Sequence, residues 1–274
     1  MRACEAAGDV AAEDLAFEEA ARLYRQALIV GREEISETER GRLELALARV
    51  LYRSGDLPGW HDSVIGVARR AERRGDRLLL ARAALEMDAT GGTEWDSEIC
   101  RICEQALAGS GLADEVRARV LARYAQALVY RGEYGRAAEV SREALDAAER
   151  AGDPAAVVDA LRARQLACSG PEGSGERAAL AARMLDVAGQ VRDAWVEMWG
   201  RLWRIDTLFE AGLLAQIPPR MGPGGSDAGN SLASVFPALN LALMWLERGD
   251  RDSAAGCTSR PARSARGAHC PRCG

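Results

Sequence analysis

The stretch Leu45-Ala-Leu-Ala-Arg-Val-Leu-Tyr-Arg-Ser-Gly55-Asp56 reads as an amphipathic helix closed by glycine. Arg123-Tyr-Ala-Gln-Ala-Leu-Val-Tyr-Arg-Gly132-Glu133 repeats the pattern, and so does Leu239-Asn-Leu-Ala-Leu-Met-Trp-Leu-Glu-Arg-Gly249-Asp250. Each places small and apolar residues at helical spacing before a glycine that can adopt the left-handed conformation ending a helix.

The recurrence is regular. Gly55 to Gly132 is 77 residues, and so is Gly75 to Gly152, both of these last followed by Asp. Gly132 to Gly212 is 80 and Gly212 to Gly249 is 37. The unit is therefore about 37–40 residues long, with two helices in each. Phe17, Ala20, Ala27 and Leu28 also superpose on Tyr134, Ala137, Ala144 and Leu145 at an offset of 117, or three units. The alanines predict close helix approach, and the leading aromatic is expected to fill the gap within a pair.

Composition agrees with helix throughout. Hydrophobic residues make up 48% and aromatics 5%, with Ala, Leu, Glu and Arg dominant. Helix pairs are predicted near 37–74, 77–108, 112–151 and 154–190. A second helix is predicted near 15–30 and a first helix near 193–212. The expected fold is an all-α solenoid of helical hairpins with a concave face, in which each pair covers the apolar flank of its neighbour. The predicted organisation is a repeat domain over 1–216, a Pro/Gly-rich loop over 217–230, a last repeat helix over 231–250 and a disordered tail over 251–274. Met1 falls where a first helix should already be under way, and the Arg/Ser/Gly/Cys-rich tail has the look of a GC-rich gene read in a shifted frame. Uncapped ends would promote self-association.

The repeat resembles the tetratricopeptide family, on Ala48, Ala125 and Ala242 in first helices, the closing glycines, and the second-helix alanines. It is degenerate, because Trp60 stands where a second-helix alanine belongs and the units exceed the usual length of roughly 34 residues. Leu15-Ala-Phe-Glu-Glu-Ala-Ala-Arg-Leu-Tyr-Arg-Gln-Ala-Leu28, Ala81-Arg-Ala-Ala-Leu85, Ala160-Leu-Arg-Ala-Arg-Gln-Leu-Ala-Cys-Ser-Gly170 and Trp199-Gly-Arg-Leu-Trp-Arg-Ile-Asp206 resemble the repeat region of large ATP-binding regulators of the LuxR type and related AAA-type ATPases. That resemblance implies a sensor or coupling arm, with the ATPase module and the DNA-binding helix-turn-helix elsewhere.

Several chemistries are disfavoured. All cationic side chains are Arg, so no phosphate-loop lysine or Schiff-base lysine exists in the chain. The net charge of −5 offers no field for nucleic acid. No run nears the ~18 apolar residues of a membrane span, and the start lacks a signal peptide's apolar core. Seven scattered cysteines suit a reducing cytoplasm.

The remaining candidates have plainer readings. Cys100-Arg-Ile-Cys103 and Cys270-Pro-Arg-Cys273, the latter after His269, are too far apart for the usual four-thiolate zinc spacing. His61 is expected to be exposed or capping. Gly222-Pro-Gly-Gly225 follows no strand and reads as linker. Arg69-Arg-Ala-Glu-Arg73-Arg74 reads as a solvated helix end. Trp195, Trp199 and Trp203 recur at i, i+4 and i+8 on one helix face. They either line a groove for a partner or ligand or pack into the next layer. No cofactor, metal or catalytic group is expected. The predicted function is a non-catalytic scaffold, engaging a protein partner or small effector through the concave face. It is either the repeat part of an ATP-dependent transcriptional regulator or a free-standing adaptor that binds partner peptides.

Overall fold

The computed structural model describes residues 1–32, 34–109 and 111–213. The expected loop over 217–230, last helix over 231–250, tail, Cys270–Cys273 pair and Gly222–Gly225 cluster lie outside the described residues, as does Ala242.

Every regular element among the described residues is helical. They run α1 Arg2–Glu13, α2 Phe17–Val30, α3 Glu37–Ser54, α4 Leu57–Arg74, α5 Arg77–Leu85, α6 Thr93–Leu107, α7 Asp114–Tyr130, α8 Tyr134–Ala151, α9 Pro154–Ala167, α10 Ser174–Val191 and α11 Ala194–Glu210. The chain is an all-α solenoid of helical hairpins. The described residues form two compact units, one over Met1–Ala167 and a second beginning at Cys168. The division falls inside the span 154–190 that the sequence suggests is one pair.

In the first unit each helix packs on the next in sequence, and the first helices also touch across pairs, α3 on α5, α5 on α7 and α7 on α9. Alanine makes this possible. Ala20, Ala27, Ala48, Ala68, Ala71, Ala81, Ala84, Ala125, Ala137, Ala144 and Ala160 are all fully buried. Side chains this short let backbones approach, while Leu43, Val64, Val67, Ile99, Ile102, Val120 and Leu128 fill the remaining volume.

Three inter-helix turns share one design. Gly55, Gly75 and Gly152 close α3, α4 and α8 in the left-handed conformation, at φ 86, 67 and 67°. The following aspartate opens the next helix as its cap: Asp56 accepts from Gly59 N, Asp76 from Leu79 N and Asp153 from Ala156 N. Stop and start signals are thus two consecutive residues, which forces the sharp reversal. In the second unit Asp193 likewise caps α11 by accepting from Trp195 N and Val196 N, but the residue before it is Arg192, held at φ 53°.

One expectation requires correction. The leading aromatic of the second helix does not fill the gap within a pair at both positions. Phe17 is half-buried beneath the Arg53 guanidinium, whereas Tyr134 is 64% exposed. The start of α8 is open beside it: a Cβ at Gly135 would meet nothing within 4 Å. The pair expected near 77–108 is present as α5 and α6, but its first helix is short. α5 stops at Leu85 after nine residues, where α3 and α7 run for 18 and 17. A connection over 86–92 replaces its last turns, and the Gly91-Gly92 dipeptide is the sequence signal for it.

Candidate interaction surface

The shortened α5 organises the most elaborate surface of the first unit. Trp60, near the start of α4, is only 7% exposed, and its indole N–H donates to the Glu86 carbonyl at 3.0 Å. Its ring meets Tyr52 of α3 and Trp95 of α6, both with centroids 5.1 Å apart, tilted and edge-on respectively. Trp95 donates to the Asp88 carbonyl at 2.8 Å, and the Thr90 amide donates to the fully buried Asp96 carboxylate at 3.0 Å. Three side chains therefore satisfy the backbone groups that the missing helical turns would have paired internally.

Ion pairs hold the same connection from both sides. Arg49 of α3 grips the Glu86 carboxylate through both Nε and Nη2, and Arg123 of α7 pairs with Asp88. Further pairs continue the pattern along the first helices: Arg42 of α3 with Glu5 of α1, and Arg119 of α7 with Asp159 of α9 at 2.7 Å. The second helices carry their own series, with Arg101 of α6 on Glu72 of α4 at 2.5 Å and Arg136 of α8 on Glu104 of α6 at 3.0 Å. Each bridge joins one hairpin to the next, so charge reinforces the apolar stacking between repeats. Tyr52 and Tyr130 stand half exposed on either side of the 86–92 connection. Burial, then the neighbouring Asp88 carboxylate, raises the Tyr52 phenol above its ordinary pKa.

The single-helix tryptophan stripe divides. Trp203 is 6% exposed and packs into the second unit, Trp199 is half-buried, and Trp195 is 46% exposed. Successive rings lie 6.1 and 6.2 Å apart. α11 sits very close to α10: a Cβ added at Gly200 would come within 2.8 Å of Leu185 Cγ and 3.1 Å of its backbone nitrogen. Arg177 of α10 is buried and donates to Glu210 of α11 at 2.6 Å.

The other sequence candidates are accounted for. His61 is exposed, and its ring lies 4.9 Å from that of Trp95. Cys100 and Cys103 are buried in α6, where burial pushes the Cys100 thiol up to about 11 and Cys103 higher still. Burial thus keeps both thiols protonated at neutral pH, unsuited to act as nucleophiles. Among the described residues no group of three or more metal-binding side chains occurs, and no helix is long and apolar enough to cross a membrane. The Trp60–Trp95–Tyr52 group and the inter-repeat ion pairs were not foreseeable from local spacing. Apart from the Tyr52–Trp60 contact they join residues 26–40 positions apart, and only the Trp60 substitution hinted at them.

No family model matches the chain, and no curated protein matches it. Among solved structures it is similar to a signal transduction ATPase with numerous domains (STAND) from Pyrococcus horikoshii, which carries a tetratricopeptide repeat sensor. The TM-score is 0.57 at 14% identity, over 93% of this chain and 41% of that protein. This likeness shows a tetratricopeptide-like helical-repeat fold, and the chain spans about two-fifths of its structural neighbour.

Proposed function

We propose that the chain is a non-catalytic interaction arm, the sensor-like repeat part of an ATP-dependent signalling regulator. The observation that carries this reading is the similarity to a STAND protein with a repeat sensor, of which this chain spans 41%. Partner contact runs over the first-helix face around Tyr52, Tyr130 and the pinned 86–92 connection. Exposed tyrosines on a rigid frame supply contact area at low entropic cost. Trp195, with Trp199 behind it and Trp203 as its buried anchor, provides a second contact in the second unit. Binding at these surfaces would bias the stacking of repeats and so the state of an attached ATPase, as in the LuxR-type arrangement.

The test is the coding sequence upstream of Met1. A reading frame for a phosphate-loop ATPase there supports the regulator. A promoter and ribosome site at Met1 overturns it in favour of a free-standing adaptor that docks peptides on the same face. The pure chain is expected to hydrolyse no ATP; turnover abolished by a point mutation would overturn the non-catalytic reading.

A further inference from the structure

A cleft of about 410 Å³ opens where the start of α3, the end of α4 and the α4–α5 turn converge, lined by Glu37, Thr38, Arg70, Arg74, Asp76 and Leu79. Its volume falls in the roughly 300–1,000 Å³ range of small-molecule sites. Its walls carry two cations and two anions with a hydroxyl between, and the Glu37–Arg74 pair among them is slack. Glu37 is shared between Arg40 at 3.6 Å and Arg74 at 3.8 Å, beyond hydrogen-bond length. Arg70 is held by Glu44, and Arg40, Arg73 and Arg74 crowd around it. Burial first, and then those like charges, lower its pKa against the opposing pull of Glu37. A guanidinium so placed gains from an entering carboxylate. The apolar wall is fixed, since Leu79 packs so tightly on Gly41 that a Cβ there would lie 2.7 Å from it.

We propose that this cleft binds a small zwitterion, a free α-amino acid or short peptide, with its carboxylate on Arg70 and Arg74 and its ammonium group on Glu37 and Asp76. A simple anion would face two carboxylates, and a simple cation two guanidiniums. A ligand bearing both charges answers every wall, whereas a single-charge analogue leaves one pair of walls unmatched and faces like charge on it. Asp76 can hold an ammonium group while Oδ1 still caps Leu79 N at 3.0 Å, because a carboxylate accepts from several donors. Leu79 and the Thr38 methyl meet the ligand's side chain.

This goes beyond the regulator reading and does not depend on it, because binding belongs to this chain whatever is attached to it. The experiment is calorimetry on the full chain with L-leucine and glycyl-leucine, against N-acetyl-leucine (carboxylate only) and leucinamide (ammonium only). One or both zwitterions should bind at least about tenfold more tightly than either blocked analogue. The tighter of the two identifies the source as free amino acid or peptide. Arg74→Gln and Glu37→Gln should each weaken the zwitterion by roughly the same factor, with unchanged thermal midpoints. Arg74 and Glu37 are both substantially exposed, so neither substitution threatens the fold. No heat from either zwitterion at millimolar concentration, blocked analogues that bind equally well, or variants that bind like the parent would each overturn the proposal.

Discussion

The two tryptophan groups are built in opposite ways. Trp195, Trp199 and Trp203 lie along one helix, so their association is written in the spacing of a single segment. Trp60 and Trp95, with Tyr52, come from three helices and meet only because α5 ends early. The first group shades from buried to exposed along its helix. The second has a nearly buried centre whose indole is hydrogen-bonded to backbone that has left the helical pattern. A stripe on one helix can be shed at its exposed end without cost to the fold, whereas a cluster spanning three helices cannot lose its middle.

The largest effect should therefore come from Trp60→Ala. It removes two ring contacts and leaves the Glu86 carbonyl without its donor. A loss of about 3–5 kcal/mol is expected in the first unit, read by hydrogen exchange of amides within Met1–Ala167. Trp60→Phe keeps most of the packing but not the N–H, and should recover more than half of that loss. If Trp60→Ala costs no more than an exposed substitution, the cluster is decoration and its contrast with the stripe disappears.

The next test lies inside the stripe. Trp203→Ala should destabilise the second unit by about 3–5 kcal/mol, because its ring is buried. Trp195→Ala should change stability by no more than about 0.5 kcal/mol and weaken partner capture instead. Equal losses at both positions would mean that Trp195 is structural, and the proposed contact in the second unit would fail.

These differences follow what could be read in the chain. Helix boundaries were legible because Gly55-Asp56, Gly75-Asp76 and Gly152-Asp153 place a stop and a start side by side, and the capping hydrogen bonds form at those very aspartates. The Trp195–Trp203 face was legible because period 3.6 needs only local spacing. The contact of Trp60 with Trp95 was not, since it depends on where α5 ends, and Ala81-Arg-Ala-Ala-Leu85 is good helix sequence that gives no warning. Only Gly91-Gly92 marked the break. The ion pairs were illegible for a different reason: with 36 basic and 41 acidic residues, sequence offers far too many pairings to choose among.

A smaller effect is expected where charge pins the 86–92 connection. Asp88→Ala removes the partner of Arg123, whose side chain is mostly buried. About 1 kcal/mol should be lost from the first unit. Because Asp88 itself is partly exposed, the loss should shrink when the salt concentration is raised to molar levels. A loss that ignores salt would show that Asp88 holds the connection by hydrogen bonding to Arg123 rather than by screened charge.

The smallest effect separates the two units at their turns. Three junctions in the first unit use glycine in the left-handed conformation before the capping aspartate, and the second unit uses Arg192 at φ 53°. A residue with a Cβ pays about 1–2 kcal/mol there, partly offset because glycine loses more freedom on folding. Arg192→Gly should therefore stabilise the second unit by about 0.5–1 kcal/mol, and Gly75→Ala should destabilise the first by a similar amount. Arg192 is exposed, so its side chain has little packing to lose. If Arg192→Gly instead destabilises the unit, the arginine holds its turn through charge at the end of α10, and the junctions of the two units differ in kind rather than in quality.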